Sequence, residues 1–283
     1  LHQQHLAYRD DIGDLLTRRP LPGPKVDQID PFLFLNHHGR QIYAPYNHGL
    51  PFGPHPHRGF ETVTFILEGT LAHHDTGGHA SVIDAGGVQW MTAGSGLVHA
   101  EVSPASFKRN GGPLEILQLW VNLPSRLKMT KPRYIGVQDA EIPVVAIADG
   151  RGTLNLVSGS FDGCTGPIES LTNVFMSTVR LPAGERVELP APAGRSIFLY
   201  VVRGQIIVAK TVIDAWHLLE FNDDGDRVHI EATADVVLLY GHADPIGEPV
   251  VAHGPFVMNT RDEIVQAIQD YRAGKFQGAG LNL

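Results

Sequence analysis

The chain has 283 residues, with 22 Lys or Arg against 30 Asp or Glu, a formal net charge of -8 and a pI near 6.0, a balance that argues against a broad nucleic-acid-binding surface. Hydrophobic residues make up 43% and charged residues 18%, enough to bury a sizeable core and to argue against global disorder. The single cysteine, Cys164, excludes an intrachain disulfide and a thiolate-rich metal site.

The first residues, Leu1-His2-Gln3-Gln4-His5, show no basic region followed by an apolar run, and no apolar stretch approaches the roughly 18 residues that span a bilayer. The expected compartment is therefore the cytoplasm. The 31 Gly and 20 Pro favour many tight turns and hence many short strands. Alternating apolar and β-branched residues predict strands at 60–68, 79–84, 88–92 and 114–122. The polar, proline-containing stretch 124–141 reads as a linker. Further strands are expected at 155–158, 173–181, 196–203, 205–209, 214–221, 227–232 and 235–240. Near the end, Thr260 and Glu263 form a capping box, Ile264, Ala267, Ile268 and Tyr271 share a helical face, and Gly274 is a natural stop. A Gly-rich tail follows.

The pattern reads as all-β, sandwich or barrel, with one short C-terminal helix near 260–273. The phrase Phe65-Ile66-Leu67-Glu68-Gly69-Thr70-Leu71 is matched by Tyr200-Val201-Val202-Arg203-Gly204-Gln205-Ile206, which points to an internal duplication of about 135 residues. The expected organisation is one domain over 1–130 and a second over 131–283.

Two short segments carry the chemistry. Gly53-Pro54-His55-Pro56-His57 and Gly96-Leu97-Val98-His99-Ala100-Glu101 each hold a pair at i, i+2 spacing. On a strand this spacing puts both side chains on one face. Three imidazoles and one carboxylate aimed at a point suit a divalent first-row metal with positions left open. Glu61, four residues after His57, reads as a further ligand or as an acceptor behind the ligands. His73, His74 and His79 read as solvated turn residues, and Trp90 and Met91 as core. Asn36-His37-His38-Gly39 is a candidate for a cavity mouth. The second half has no His-x-His pair, so metal chemistry is expected only in the first. Phosphate loops, nucleophile elbows and dinucleotide fingerprints are absent from the sequence.

Longer phrases extend the picture: Pro51-Phe52-Gly53-Pro54-His55-Pro56-His57-Arg58-Gly59-Phe60-Glu61-Thr62-Val63-Thr64, the stretch from Gly87 to Glu101, Leu119-Trp120-Val121-Asn122-Leu123-Pro124, and the stretch from Gly247 to Thr260. In these the chain resembles the pirins, members of the cupin superfamily, over nearly its whole length. It departs from them at His37-His38 and at His253. The resemblance implies two cupin-type β-barrels, with one divalent metal, most simply Fe(II), held in the first by His55, His57, His99 and Glu101. It implies quercetin 2,3-dioxygenase activity on a flavonol with O2. A metal that binds the enolate oxygen lowers the pKa of the substrate hydroxyl, and Glu101, if its grip on the metal is loose, is the group expected to take the proton. The alternative that the resemblance implies is an iron-containing regulatory module that binds a transcription factor or a metabolic enzyme. Direct nucleic-acid or membrane binding is not expected.

Overall fold

Short strands punctuated by glycine turns dominate the computed structural model, which describes residues 1–278; the last part of the Gly-rich tail, 279–283, lies outside the described residues. Two compact units emerge. One comprises Asp10–Thr17, Asn36–Asp139 and Ile246–Leu283; the other comprises Leu1–Arg9, Arg18–Leu35 and Ala140–Pro245. Among the described residues no helix is long and apolar enough to cross a membrane.

In the first unit a sheet runs in the order Arg133–Val137, Val88–Thr92, Phe60–Glu68, Gly112–Asn122, then the latter part of Phe32–Tyr43. A four-stranded sheet runs Phe52–His57, Leu97–Val102, Thr70–Asp75, Ala80–Asp84. Register in the first sheet aligns Gln118, Thr64 and Gln89 in one row across three strands, and Trp120, Thr62 and Met91 in the next. Cross-strand partners share a face, so these side chains line one interior. The segment read as a linker contains the strand Arg133–Val137, paired to Val88–Thr92 from Arg133↔Thr92 to Val137↔Val88.

The second unit repeats the order. His217–Glu220, Ser196–Arg203, Val236–Ala243 and Phe175–Leu181 stand where Val88–Thr92, Phe60–Glu68, Gly112–Asn122 and Phe32–Tyr43 stand in the first. Its four-stranded sheet, Arg186–Pro190, Arg227–Ala232, Gln205–Val208 and Thr211–Asp214, mirrors the other four-stranded sheet. The duplication read from one phrase is thus visible in the topology. Gly69 and Gly204 turn equivalent hairpins, with φ of 89° and 83°. A Cβ on either would meet a carbonyl, Pro113 O at 2.8 Å or Asp235 O at 2.3 Å, so both positions require glycine.

The expected strand 214–221 is two strands, Thr211–Asp214 and His217–Glu220, broken at Trp216, whose φ is 67°. The interior of the second unit is aliphatic: Leu154, Leu156, Val179, Leu199, Val201, Leu238 and Tyr240 form one buried cluster with the inward residues of the four-stranded sheet. The C-terminal helix Arg261–Arg272 starts as expected, with Thr260 and Glu263 exchanging both capping-box bonds.

Candidate metal centre

Pro54 and Pro56 can donate no ladder hydrogen bonds, and the Phe52–His57 strand that carries them lies at a sheet edge, where prolines are tolerated. This edge strand pairs with Leu97–Val102, in a register that sets His55 opposite His99 and His57 opposite Leu97. The result is a triangle of imidazoles. Ring centroids are 4.3 Å apart for His55 and His99, 4.8 Å for His55 and His57, and 4.9 Å for His57 and His99. One ligand nitrogen from each lies within 4.8 Å of the others.

Hydrogen bonds fix the tautomers. His55 Nδ1 donates to the Gly53 carbonyl at 2.8 Å, and His57 Nδ1 donates to the Pro255 carbonyl at 3.3 Å. Carbonyls only accept, so both Nδ1 atoms carry the proton and both Nε2 lone pairs are free to ligate. His99 is 1% exposed, and neither of its ring nitrogens has a hydrogen-bond partner. A buried imidazole without partners costs free energy unless something satisfies it. A metal on this face does so, and the site's electrostatics agree. Burial, then the neighbouring His55, pushes the His57 pKa down to about 3. Burial, then His57, His55 and His73, pushes that of His99 well below the usual histidine range. Neutral imidazoles are the form that binds a metal.

The Glu101 carboxylate lies outside this tight cluster. Its Oε1 accepts from Thr64 Oγ1 at 2.9 Å, and its Oε2 accepts a short bond from Gln118 Nε2. Against the edge strand the register shifts between His99 and Glu101, which face His55 and Phe52, so the extra residue lies in the edge strand; against Thr70–Asp75 the pairing is regular, and His99 and Glu101 keep one face. Glu61 is elsewhere. A turn at Gly59 separates it from His57, and it stands three residues before Thr64, hence on the opposite face of the strand. There it accepts from Thr92 Oγ1 at 2.6 Å, and its pKa is raised chiefly by complete burial.

Aromatic rings wall the site. Trp120 and Phe60 lie 5.4 and 5.1 Å from the His57 ring. His73 departs from the solvated-turn expectation: it is 1% exposed, stacks on Tyr134 at 4.0 Å and lies 5.4 Å from His99. Its Nε2 meets Asp75 at 2.9 Å, and the same carboxylate meets the exposed His79 at 3.1 Å. Met91 faces this interior, packed with Ala93, Leu97 and Tyr134, while Trp90 is buried on the other face. His37 is bonded to Glu115 at 2.9 Å, His38 to Thr17 at 2.9 Å, and His253 is exposed.

Thr64, Gln118 and Trp120 were not singled out from the sequence, and His73 was read as a solvated turn residue. Their signal lies in strand register, since Thr64 faces Gln118 directly across the ladder, and register is not visible in a single chain's pattern.

Comparison with known proteins gives the family and the fold. The pirin family model matches residues 14–121, and the model for the pirin C-terminal cupin domain matches 176–277. A pirin-like protein of Caulobacter vibrioides is 42% identical over 269 residues, covering 94% of each chain. Human pirin is 38% identical over 270 residues, covering 92% of this chain and 87% of its own. Among solved structures, a quercetin 2,3-dioxygenase from Acinetobacter baumannii superposes with a TM-score of 0.92 at 31% identity over 98% of both chains. Two duplicated cupin domains, a histidine triad in one of them and likeness along almost the entire sequence place this chain in the pirin family.

Proposed function

We propose that this protein is a metal-dependent dioxygenase of the quercetin 2,3-dioxygenase type, opening a flavonol ring with O2. The metal would be one Fe(II) held by His55, His57, His99 and Glu101. The observation that carries the reading is the His99 imidazole, buried beside the imidazoles of His55 and His57 with both nitrogens unmet. A divalent iron bound there supplies Lewis acidity toward an enolate oxygen and a redox-active centre for oxygen.

The remaining work falls to the chain's own groups. His55 and His57 present fixed Nε2 atoms because backbone carbonyls hold their Nδ1 protons. Glu101 is a buried carboxylate of this interior, and the donors on both its oxygens orient it. It takes the proton of the flavonol 3-hydroxyl at Oε1 or Oε2, with Thr64 and Gln118 steadying the geometry before and after transfer. Phe60, Trp120 and Met91 offer apolar faces to an aromatic substrate and keep bulk water from the reacting oxygen.

The test is oxygen uptake by iron-loaded protein over a panel of flavonols, with product release followed by absorbance. Uptake coupled to loss of the flavonol chromophore is expected. No uptake with any flavonol, at full metal occupancy, overturns the reading and turns attention to the regulatory alternative.

A further inference from the structure

The two strands that carry the histidines are held by a part of the chain some 200 residues away in sequence. Arg58 directly follows His57 and is buried, 4% exposed. Its Nε donates to the Ser95 carbonyl at 2.7 Å, just ahead of the strand that bears His99. Its Nη1 donates to Asp270 on the C-terminal helix at 2.8 Å. One guanidinium thus ties both ligand strands to that helix. Phe276, beyond the helix, covers the guanidinium at 4.6 Å and packs so closely on Gly96 that a Cβ there would lie 2.5 Å from the ring.

The backbone adds to this clasp. Pro255 accepts from both His57 Nδ1 and the Arg58 amide, and Val257 N donates to the Arg58 carbonyl at 3.1 Å. The buried Lys128 ammonium donates to Gly59 O, Val257 O and Asn122 Oδ1 at 2.9, 3.1 and 2.7 Å, joining the two segments.

We propose that Pro255, Val257, Asp270 and Phe276 form a clasp that sets the metal affinity of the histidine site, with Asp270 as the positioning residue acting through Arg58. This rests on the reading of His57 and His99 as metal ligands. The physical route is twofold. Asp270 fixes the guanidinium, and so the spacing between the two ligand strands. It also neutralises a buried cation one residue from a site that must accept another cation. Groups behind metal ligands commonly alter affinity by about 10–100-fold, and Asp270 lies one step further back.

The experiment uses the untagged full chain, freed of metal, titrated with Co(II) against a chromophoric chelator at a temperature where every variant is folded. Asp270→Asn is expected to weaken Co(II) binding by about tenfold, and Asp270→Glu, which keeps the charge, to recover most of it. Thr260→Ala removes the helix cap without touching Arg58. It should lower the melting temperature and leave Co(II) affinity unchanged. Where Asp270→Asn does not fold, Phe276→Ala takes its place and should weaken binding in the same direction. Wild-type affinity in the folded Asp270→Asn or Phe276→Ala protein overturns the proposal. So does an equal loss in Thr260→Ala, which would reduce the clasp to general helix stability. A wild-type chain that binds no Co(II) overturns the metal reading itself and the proposal with it.

Discussion

The two units share a strand order and differ in what fills it. On the edge strand of the first, His55 faces His99 across the ladder; on the equivalent strands of the second, Val187 faces Ile230. The correspondence that brings Gly69 onto Gly204 brings Thr62 and Thr64 onto Ile197 and Leu199. Every polar side chain in the first interior needs a partner, and most have one: Thr64 and Gln118 on Glu101, Asp75 on His73. The second is largely apolar: Leu199, Leu238, Val187 and Ile230 close on one another, and the Tyr240 hydroxyl donates to the Pro190 carbonyl at 2.6 Å. The same framework thus yields either a site or a core, depending on a handful of inward positions. The site-bearing copy gives up apolar burial. Inside that same unit, part of the lost cohesion is replaced by the buried Arg58–Asp270 pair and the Lys128 staple.

The comparison breaks most visibly at the ligands. His57→Ala and His99→Ala should each remove most bound metal, since a group that ligates directly is lost. His74→Ala and His242→Ala should leave metal content unchanged. Elemental analysis of purified protein checks this, with one metal per chain expected in the wild type. Two tightly bound metals, or loss of metal on replacing His242, would erase the distinction between the units. The next largest effect concerns Glu101. Glu101→Gln keeps an oxygen donor of similar shape and removes the proton acceptor, so turnover per bound metal should fall by roughly 10²–10⁴-fold. Equal turnover per metal in the two proteins removes Glu101 from the chemistry.

How much of this was legible in the sequence depends on the kind of pattern involved. The His55/His57 and His99 positions were readable because i, i+2 spacing survives any detail of packing. The helix from Arg261 was readable because its cap is local. The Phe32–Tyr43 strand was missed for its run Asn36-His37-His38-Gly39, which mimics a loop; the Phe52–His57 strand, with two prolines, was readable only from the spacing of its histidines. Glu61 was placed by counting residues along one strand, yet the turn at Gly59 begins a new strand and reverses the face. Arg58 and Asp270 carry no local signal at all, because their pairing depends on a contact 212 residues apart.

A core substitution sharpens the contrast further. Leu199→Ala, fully buried among aliphatic neighbours, should destabilise the protein by about 2–5 kcal/mol in denaturant unfolding, with metal stoichiometry intact. Thr64→Ala, at the equivalent strand position, removes one hydrogen bond to Glu101 and should cost only about 1 kcal/mol. Its larger consequence should be weaker metal binding. If Thr64→Ala proves the more destabilising of the two, the first interior is held by its polar network more than by its remaining apolar contacts.

The smallest expected effect is in pH. Each unit buries a histidine as the neutral form: His57 with a pKa lowered to about 3, and His242, desolvated and beside Arg195, to about 4. In the unfolded chain both titrate near 6.5. Below that value the unfolded state takes up protons that the native state refuses, so stability rises with pH and falls as the solution is acidified. For His242 the loss begins near pH 6.5 and continues to about 4. For His57 it continues to about 3. Each contributes a slope approaching about 1.4 kcal/mol per pH unit well below 6.5. His242→Phe keeps a ring against Phe175, on which His242 stacks at 4.6 Å, and removes the titrating group. Unfolding free energies of metal-free protein, measured between pH 6.5 and 5, should therefore fall less steeply in this variant than in the wild type, the carboxylates being common to both. The slope that remains should include His57. An unchanged slope would mean that His242 is charged in the native protein, and the two interiors would then differ in polarity less than their packing indicates.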